Sequence, residues 1–532
     1  MGKYKVDNAI ILAAGFGSRF VPLTFEMPKG LIPVQGTPMI ERQIHQLKER
    51  RIDDIKIVVG YLKEKFDYLI DKYDVSLIFN PDFNKKNNLS SLYYARQYLR
   101  NSYILSADNW MTQNIFNSTE DDSWYSCVYK DGSTSEWCVT VDENDRIKGV
   151  VVGGKDSWVM MGPVFVSESF SSRFKEKVEE YFMKSGTENY MWENVFVDEI
   201  EHFDMYINKQ RGDIVYEFEN LDELRVFDPE YGNDTSNVVL RLISDIFNVG
   251  EEDVLDIQCA KSGMTNKSFS FSIKGKPFVY RHPGEGSGKL INRIQEKNVY
   301  KATAHLGFTD ESIYMDEKTG AKVSVFYLGA INTNARERKD LEDSMNVLRQ
   351  VHNSGIKVEH SFNIRSEIEK YLSYCEEMNA IRFSDYRETH DKMKELLSLS
   401  LLAGVNHVLC HVDHNPDNII RLTDGSLRII DWEYAGMGDP IMDIAMYSIY
   451  AYFSRKEALE LLEIYLQRLP CKEEKIRLYA YMALGGYLWA MWTEYKQAHG
   501  VEFGYYGMDM YRYAKEYYKH CMAEKSELCE YS

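Results

Sequence analysis

Residues 8–30 read NAIILAAGFGSRFVPLTFEMPKG. A run of β-branched and small apolar residues stops abruptly in a glycine-rich turn, the pattern of a first strand feeding a loop. Gly15 and Gly17 let backbone N–H groups come close to phosphate oxygens, with Ser18 in the same turn, and Arg19 and Lys29 supply countercharge. A third glycine is missing and Arg19 stands where a helix should open, so the turn reads as a triphosphate cradle and not as a Rossmann dinucleotide site.

Outward from this turn, short strand-like runs alternate with helical ones. IKIVVG (55–60), VSLIFN (75–80) and SYILSAD (102–108) are separated by segments such as PMIERQIHQLKERR (38–51), whose apolar residues fall at helical spacing. An open, largely parallel sheet is expected over a first domain, 1–230. DPEYGNDTSNV (228–238) interrupts both periodicities and is the linker candidate. Beyond it, FSFSIKG, KPFVYR and KVSVFYL read as antiparallel strands, and from about Asp340 the chain is mainly helical. The second domain, 238–532, thus has a two-lobed kinase layout, with an N-lobe over about 238–335 and a C-lobe over about 336–532. The fold class is α/β, a Rossmann-like mixed sheet followed by a protein-kinase-like α+β domain.

Composition bounds the function. At 532 residues the chain holds two or more domains. With 63 Lys and Arg against 82 Asp and Glu, the net charge of −19 disfavours a general affinity for nucleic acid or anionic membrane. Phosphate ligands must then be held by local cations or a metal. The 38 Tyr, 25 Phe and 8 Trp leave rings to spare for cages around cationic ligands. Eight Cys without any C-x-x-C pair argue against disulfides and zinc. The start lacks a basic leader, and the apolar stretch 478–492 is shorter than the ~20 residues of a membrane span. A cytoplasmic protein without an integral membrane segment is expected, with its oligomeric state open.

The string from Leu12 to Arg19, with Met27-Pro28-Lys29 after it, resembles the signature of the nucleotidyltransferases that make nucleotide sugars and CDP-alcohols. The resemblance implies that Asp108, at the end of SYILSAD, is a Mg²⁺ ligand, and that a second acid comes from IVYEFENLDEL. Glu219 is taken for that role, although Glu217 stands beside it and the family usually has Asp. NNLSSLYYARQYL (87–99), SYILSADN and TSEWCVT (134–140) are similar to the bacterial phosphocholine cytidylyltransferases. On that resemblance Trp137, Tyr190, Trp192 and Glu193 meet a trimethylammonium group, which needs ring faces because it has no N–H to donate. Asn88 and Ser91 lie near the nucleotide.

HVDHNPDNII (411–420) sets Asp413 two residues after His411 and Asn418 five after Asp413, and IIDWEYAGMGDP sets Asp431 18 residues past Asp413. This is the kinase pattern of a base and two metal ligands. It resembles the choline and aminoglycoside kinase superfamily, as does the Thr-Asn pair of KSGMTNKSFSFSIKG. There Gly263, Thr265 and Asn266 would fold over ATP phosphates. Arg281 then pairs with Glu296 of the following helix, in place of the kinase Lys–Glu pair. YLWAMWTEYKQAHGVEFGYYG (487–507) resembles the choline pocket, implying that Trp489, Trp492 and Tyr505 hold the trimethylammonium head.

The expectation is a bifunctional enzyme that phosphorylates choline with ATP and joins the phosphocholine to CTP, with Mg²⁺ as cofactor and small molecules as its partners. The other enzymatic reading gives the first site a sugar 1-phosphate or aminophosphonate and the second another alcohol or an aminoglycoside. A non-enzymatic reading makes one half a nucleotide sensor, for which Lys29, Asp108, Asp413, Asn418 and Asp431 would be superfluous.

Overall fold

Asn8–Ala13 (β1) is buried along its whole length, as suits a strand with parallel neighbours on both edges and cover on both faces. Its neighbours are Ile55–Val59 (β2), followed by Ser76–Phe79 (β3), and on the other edge Ser102–Ser106 (β4). The strand-like runs of the sequence are therefore strands, all parallel. Beyond β4 the sheet becomes mixed. Asn109–Met111 (β5) leaves it, and the long hairpin of Trp124–Val141 (β6) and Ile147–Val166 (β7) enters with β7 antiparallel to β4. Tyr206–Gln210 (β8) closes the edge, giving the order β8-β6-β7-β4-β1-β2-β3. Val215–Glu217 (β9) pairs with β5 and sets Glu217 opposite Asn109. Met39–Glu49 (α1), Asn88–Ala95 (α2), Glu168–Met183 (α3) and Trp192–Asp198 (α4) are the helices that matter below.

The computed structural model describes residues 3–233, 235–259, 267–282, 290–402, 405–501 and 503–529. Gly263, Thr265 and Asn266 lie outside the described residues. Packing divides the chain into two units, 1–259 with 272–274, and 260–271 with 275–532. The expected linker at 228–238 carries structure of its own, because Asp228 accepts the Gln35 N–H at 2.6 Å and Tyr231 donates to the Pro33 carbonyl. Arg225 ties the next stretch to the first unit by donating to the carbonyls of Glu251 and Val254, each at 2.7 Å.

In the second unit Lys267–Ile273 (β10), Lys276–His282 (β11), Ser312–Met315 (β12) and Lys322–Val325 (β13) lie in the order β10-β11-β13-β12. Arg293–Thr303 (α5) follows β11 in the chain. The rest is helical, as the sequence led one to expect: Arg338–His352 (α6), Pro440–Tyr450 (α7), Lys472–Ala498 (α8) and Tyr506–Cys529 (α9). Short strands Val408–Cys410 (β14), Ile419–Arg421 (β15) and Leu427–Ile429 (β16) carry the kinase-like motifs. Every residue of α8 from Leu478 to Lys496 is buried, and among the described residues no helix is long and apolar enough to cross a membrane. No disulfide joins the described cysteines.

The Gly485-Gly486 pair inside this buried helix has a packing cause. A Cβ on Gly486 would lie 2.6 Å from the Met510 carbonyl oxygen and 2.8 Å from the Ala514 nitrogen of α9, whereas one on Gly485 would meet the end of the Met446 side chain at 2.8 Å. Backbone cannot yield as a thioether can. Gly486→Ala is therefore expected to destabilise the second unit by about 1–3 kcal/mol, beyond any gain in helix propensity, and Gly485→Ala by less. Urea unfolding monitored by near-UV circular dichroism measures both.

Candidate active sites

In the first unit the carboxyl ends of β1 and β4 face the loop that follows β1. Gly17 has a left-handed backbone (φ 66°), and a Cβ there would lie 2.9 Å from the Lys29 Cβ. The turn thus needs glycine both for its conformation and for the approach of Lys29. Lys29 Nζ donates to Asp108 Oδ2 and to the Phe218 carbonyl, each at 2.7 Å, and sits 4.7 Å from the Phe20 ring centroid. A cavity of about 230 Å³ opens here, and its walls include Gly15, Gly17, Lys29, Asn88, Ser91 and Asp108. Six of the residues singled out from the sequence are thereby brought together.

The two acids of IVYEFENLDEL separate. Asn109 Nδ2 donates to Glu217 at 3.4 Å, and burial, with the Asp108 carboxylate beside it, pushes the Glu217 carboxyl up to about 7. Glu219 instead forms an ion pair with Arg19, and its N–H donates to Glu223 at 2.8 Å. Glu217 is the acid that shares the surroundings of Asp108.

The expected ammonium cage lies away from the walls of that cavity. Tyr125 OH donates to Glu193 Oε1 at 3.2 Å, while Glu193 Oε2 is shut from solvent without a hydrogen-bond partner. Burial pushes this carboxyl up to about 7, against the lowering effect of Asn88 and Tyr125 beside it. Trp137 and Tyr190 are half-buried against the same apolar cluster. The expectation for Trp192 needs correction: it is only 2% exposed and stacks on Tyr125 at 6.1 Å, so it is wall material and not an open ring face. The sequence shows a Trp beside a Glu, but not that helix α4 turns the ring into the core.

In the second unit a cavity of about 650 Å³ brings together Arg281, Asp413, Asn418, Asp431, Trp489 and Trp492. Asp413 accepts from Asn415 Nδ2 and Asn418 Nδ2, each at 2.8 Å. Burial, with Asp431 and Glu433 nearby, raises its carboxyl well above the usual range. The loop is held from behind by Asp443 of α7, which accepts the N–H groups of His411 and Val412 at 2.8 and 2.7 Å. Val412 (φ 70°) and Asp431 (φ 64°) both adopt left-handed backbone, a cost of about 1–3 kcal/mol each. Arg281 Nη1 donates to Glu296 at 2.6 Å, the pair expected from sequence, and to Asp431 at 3.1 Å. Arg293 joins from α5 by donating to Glu296 at 2.8 Å and Glu433 at 3.0 Å.

Trp489 and Trp492 do share one helix face, with ring centroids 6.0 Å apart and planes at 88°, and exposures of only 8% and 3%. Tyr505 does not join them. It is 75% exposed and outside the cavity, while Tyr506, one residue on at the start of α9, lines it. One residue is about 100° of helix rotation, which sequence cannot phase across a turn. Tyr434, 5.4 Å from Trp489, completes the wall. It was legible as the tyrosine of Asp-Trp-Glu-Tyr.

A glycine-rich cradle with Lys29 and Asp108 in one unit, and a kinase catalytic loop with its metal-binding pattern in the other, define a nucleotidyltransferase followed by a phosphotransferase. Residues 9–111 match the MobA-like NTP transferase domain, and residues 314–479 the phosphotransferase enzyme family. The choline-phosphate cytidylyltransferase of Streptococcus pneumoniae is 36% identical over 218 residues, 41% of this chain and 95% of that protein. A 2-aminoethylphosphonate cytidylyltransferase of Lancefieldella rimae is 35% identical over 228 residues, 42% of this chain and 93% of that protein. Protein LicA of Haemophilus influenzae is 30% identical over 259 residues, 46% of this chain and 95% of that protein. The chain belongs to the family of these cytidylyltransferases in its first half and to that of LicA in its second.

Two carboxyls of the first unit should therefore titrate near neutrality in the absence of divalent cations. In Asp108→Asn the midpoint of Glu217 is expected to fall, because a repelling charge is removed, while that of Glu193 stays. Carbon-detected NMR of ¹³C-glutamate-labelled protein reads both; an unmoved Glu217 would contradict the proximity.

Proposed function

We propose that the chain makes CDP-choline in two steps: the second unit phosphorylates choline with ATP, and the first joins phosphocholine to CTP with release of pyrophosphate. The observation that carries this reading is the pairing, in one chain, of the Lys29–Asp108 cavity with a second cavity that brings Asp413, Asn418 and Asp431 together with the rings of Trp489 and Trp492. The relatives support it, since each covers nearly the whole of its own length on one half of this chain. The same coverage supports functional halves of 1–230 and 238–532.

In the first half, Lys29 places a positive charge between Asp108 and the cradle, where it neutralises the triphosphate and the charge that builds on the leaving pyrophosphate. Ala14, Gly15 and Gly17 line the same cavity. Both families generally use a divalent cation, and carboxylate and amide oxygens are the hard donors that Mg²⁺ takes. Asp108 with Glu217 would hold it in the first site, in preference to Glu219, whose carboxylate is engaged by Arg19. Asn418 with Asp431 would hold it in the second. Bound there, Mg²⁺ would neutralise phosphate charge. In the second half Asp413 receives the choline hydroxyl proton, and Arg281, fixed by Glu296, faces the ATP phosphates. Glu193 in the first half and the Trp489, Trp492, Tyr434 and Tyr506 walls in the second meet the trimethylammonium group. ATP and CTP as substrates place the enzyme in the cytoplasm, acting on small molecules and not on nucleic acid.

An aminophosphonate in the first site is the second reading, favoured by the Lancefieldella relative. A primary ammonium would lean on Glu193 rather than on ring faces, so competition between phosphocholine and 2-aminoethylphosphonate separates the two.

Asp413→Asn should abolish ADP formation from choline and ATP, by about 10³-fold or more, and leave CDP-choline synthesis from added phosphocholine intact. Lys29→Ala should do the reverse, lowering pyrophosphate release about 10²-fold or more. Loss of both activities in either folded variant contradicts separate sites.

Trp492→Leu should raise the KM for choline about 2- to 30-fold, corresponding to the ~0.5–2 kcal/mol of one ring face, and change that for ATP little. An unchanged choline KM in a folded variant would make Trp492 packing alone.

A further inference from the structure

The segment 86–89 belongs to two places at once. On one side Lys86, Asn87 and Asn88 line the cavity that holds Lys29 and Asp108. On the other, the same residues are laced to the segment carrying Tyr190, Trp192 and Glu193. The Asn87 N–H donates to the Glu188 carbonyl at 2.8 Å, and the Leu89 N–H to the Tyr190 carbonyl at 3.3 Å. Lys86 Nζ donates to the Phe182 carbonyl at 2.8 Å.

Asn88 makes the central link. Its Oδ1 accepts the Trp192 N–H at 2.8 Å, at the start of helix α4. Asn88 also stands beside the Glu193 carboxyl, to which the Tyr125 OH donates at 3.2 Å. One amide therefore fixes the first turn of α4, whose second residue is Glu193, while standing in the wall of the nucleotide cavity. Moving it moves α4.

We propose that Asn88 is a positioning residue that couples the two substrate subsites of the first unit, so that nucleoside triphosphate against 86–88 tightens binding of the quaternary-ammonium phosphate at Tyr190 and Glu193, and the reverse. This rests on the functional reading above. The coupling is reciprocal by necessity, because both ligands bias the position of one shared segment. It assigns Asn88 a task that contact with the base alone would not.

The test is an initial-rate matrix of pyrophosphate release over CTP and phosphocholine in the full chain. In the wild type the phosphocholine KM extrapolated to vanishing CTP should exceed that at saturating CTP by at least about fivefold. In Asn88→Ala the ratio should drop below about twofold while choline phosphorylation is unchanged. A merely structural role would lower the rate and leave the ratio. Should the variant fold poorly, hydrogen exchange of the wild type serves instead: CTP with Mg²⁺ alone should slow the amides of 187–198. A ratio kept in Asn88→Ala, a ratio of one in the wild type, or exchange indifferent to CTP overturns the proposal. Absence of any pyrophosphate release from phosphocholine and CTP in the wild type overturns the functional reading itself, and the inference with it.

Discussion

Each half of the molecule depends on one cation locked against the acid that shares its phosphate site. Lys29 lies 2.7 Å from Asp108, and Arg281 lies 2.6 Å from Glu296 and 3.1 Å from Asp431. In a chain of net charge −19, phosphate can be bound only where such cations are concentrated. A flexible lysine or arginine is of little use there unless it is held. The acids hold it, and for the buried Arg281–Glu296 pair the arrangement is intolerant, because removing one partner of a buried pair leaves an uncompensated charge costing about 3–5 kcal/mol. Precision at the phosphates is thus obtained from the same interactions that fix the fold around them.

The two sites reach this arrangement differently. In the first, a single Lys is presented by a turn that only glycine can make at position 17, and the acids arrive from strand ends. In the second, Arg281 is part of a buried network with Arg293, Glu296, Asp431 and Glu433, and the catalytic loop is suspended from Asp443 through two backbone N–H groups. The strained backbone of Val412 persists because that suspension determines it. Aromatic walls differ likewise. Trp489 and Trp492 line their cavity directly, whereas in the first unit the acid Glu193 stands among half-buried rings.

What was legible in the sequence is what short range determines. The strand before Gly15, the Lys29 and Asp108 pair, the spacing of Asp413, Asn418 and Asp431, and the Arg281–Glu296 partnership all follow from motifs whose geometry is local or repeated across a sheet. What escaped depends on long range or on phase. Tyr506 replaces Tyr505 because a helix begins between them and the turn before it sets the rotation. Glu217 rather than Glu219 neighbours Asp108, since β9 pairs Glu217 with Asn109 and ends there, leaving Glu219 to the segment beyond the strand. Trp192 is core because Tyr125, far away in the chain, stacks on it. The stretch 235–254 packs with the first unit because Arg225 reaches two of its carbonyls, a contact no composition reveals. The hairpin 124–166 was not read from the sequence, its register being broken by irregularities.

The central claim is that one chain carries choline through to the activated diphosphate. Purified protein given choline, ATP, CTP and Mg²⁺ tests it most directly, with products identified by mass. The expected result is CDP-choline, ADP and pyrophosphate in equal amounts, with CDP-choline absent when ATP is omitted and restored by phosphocholine. Formation of no CDP-choline under either condition, or its formation from choline without ATP, would contradict the assignment.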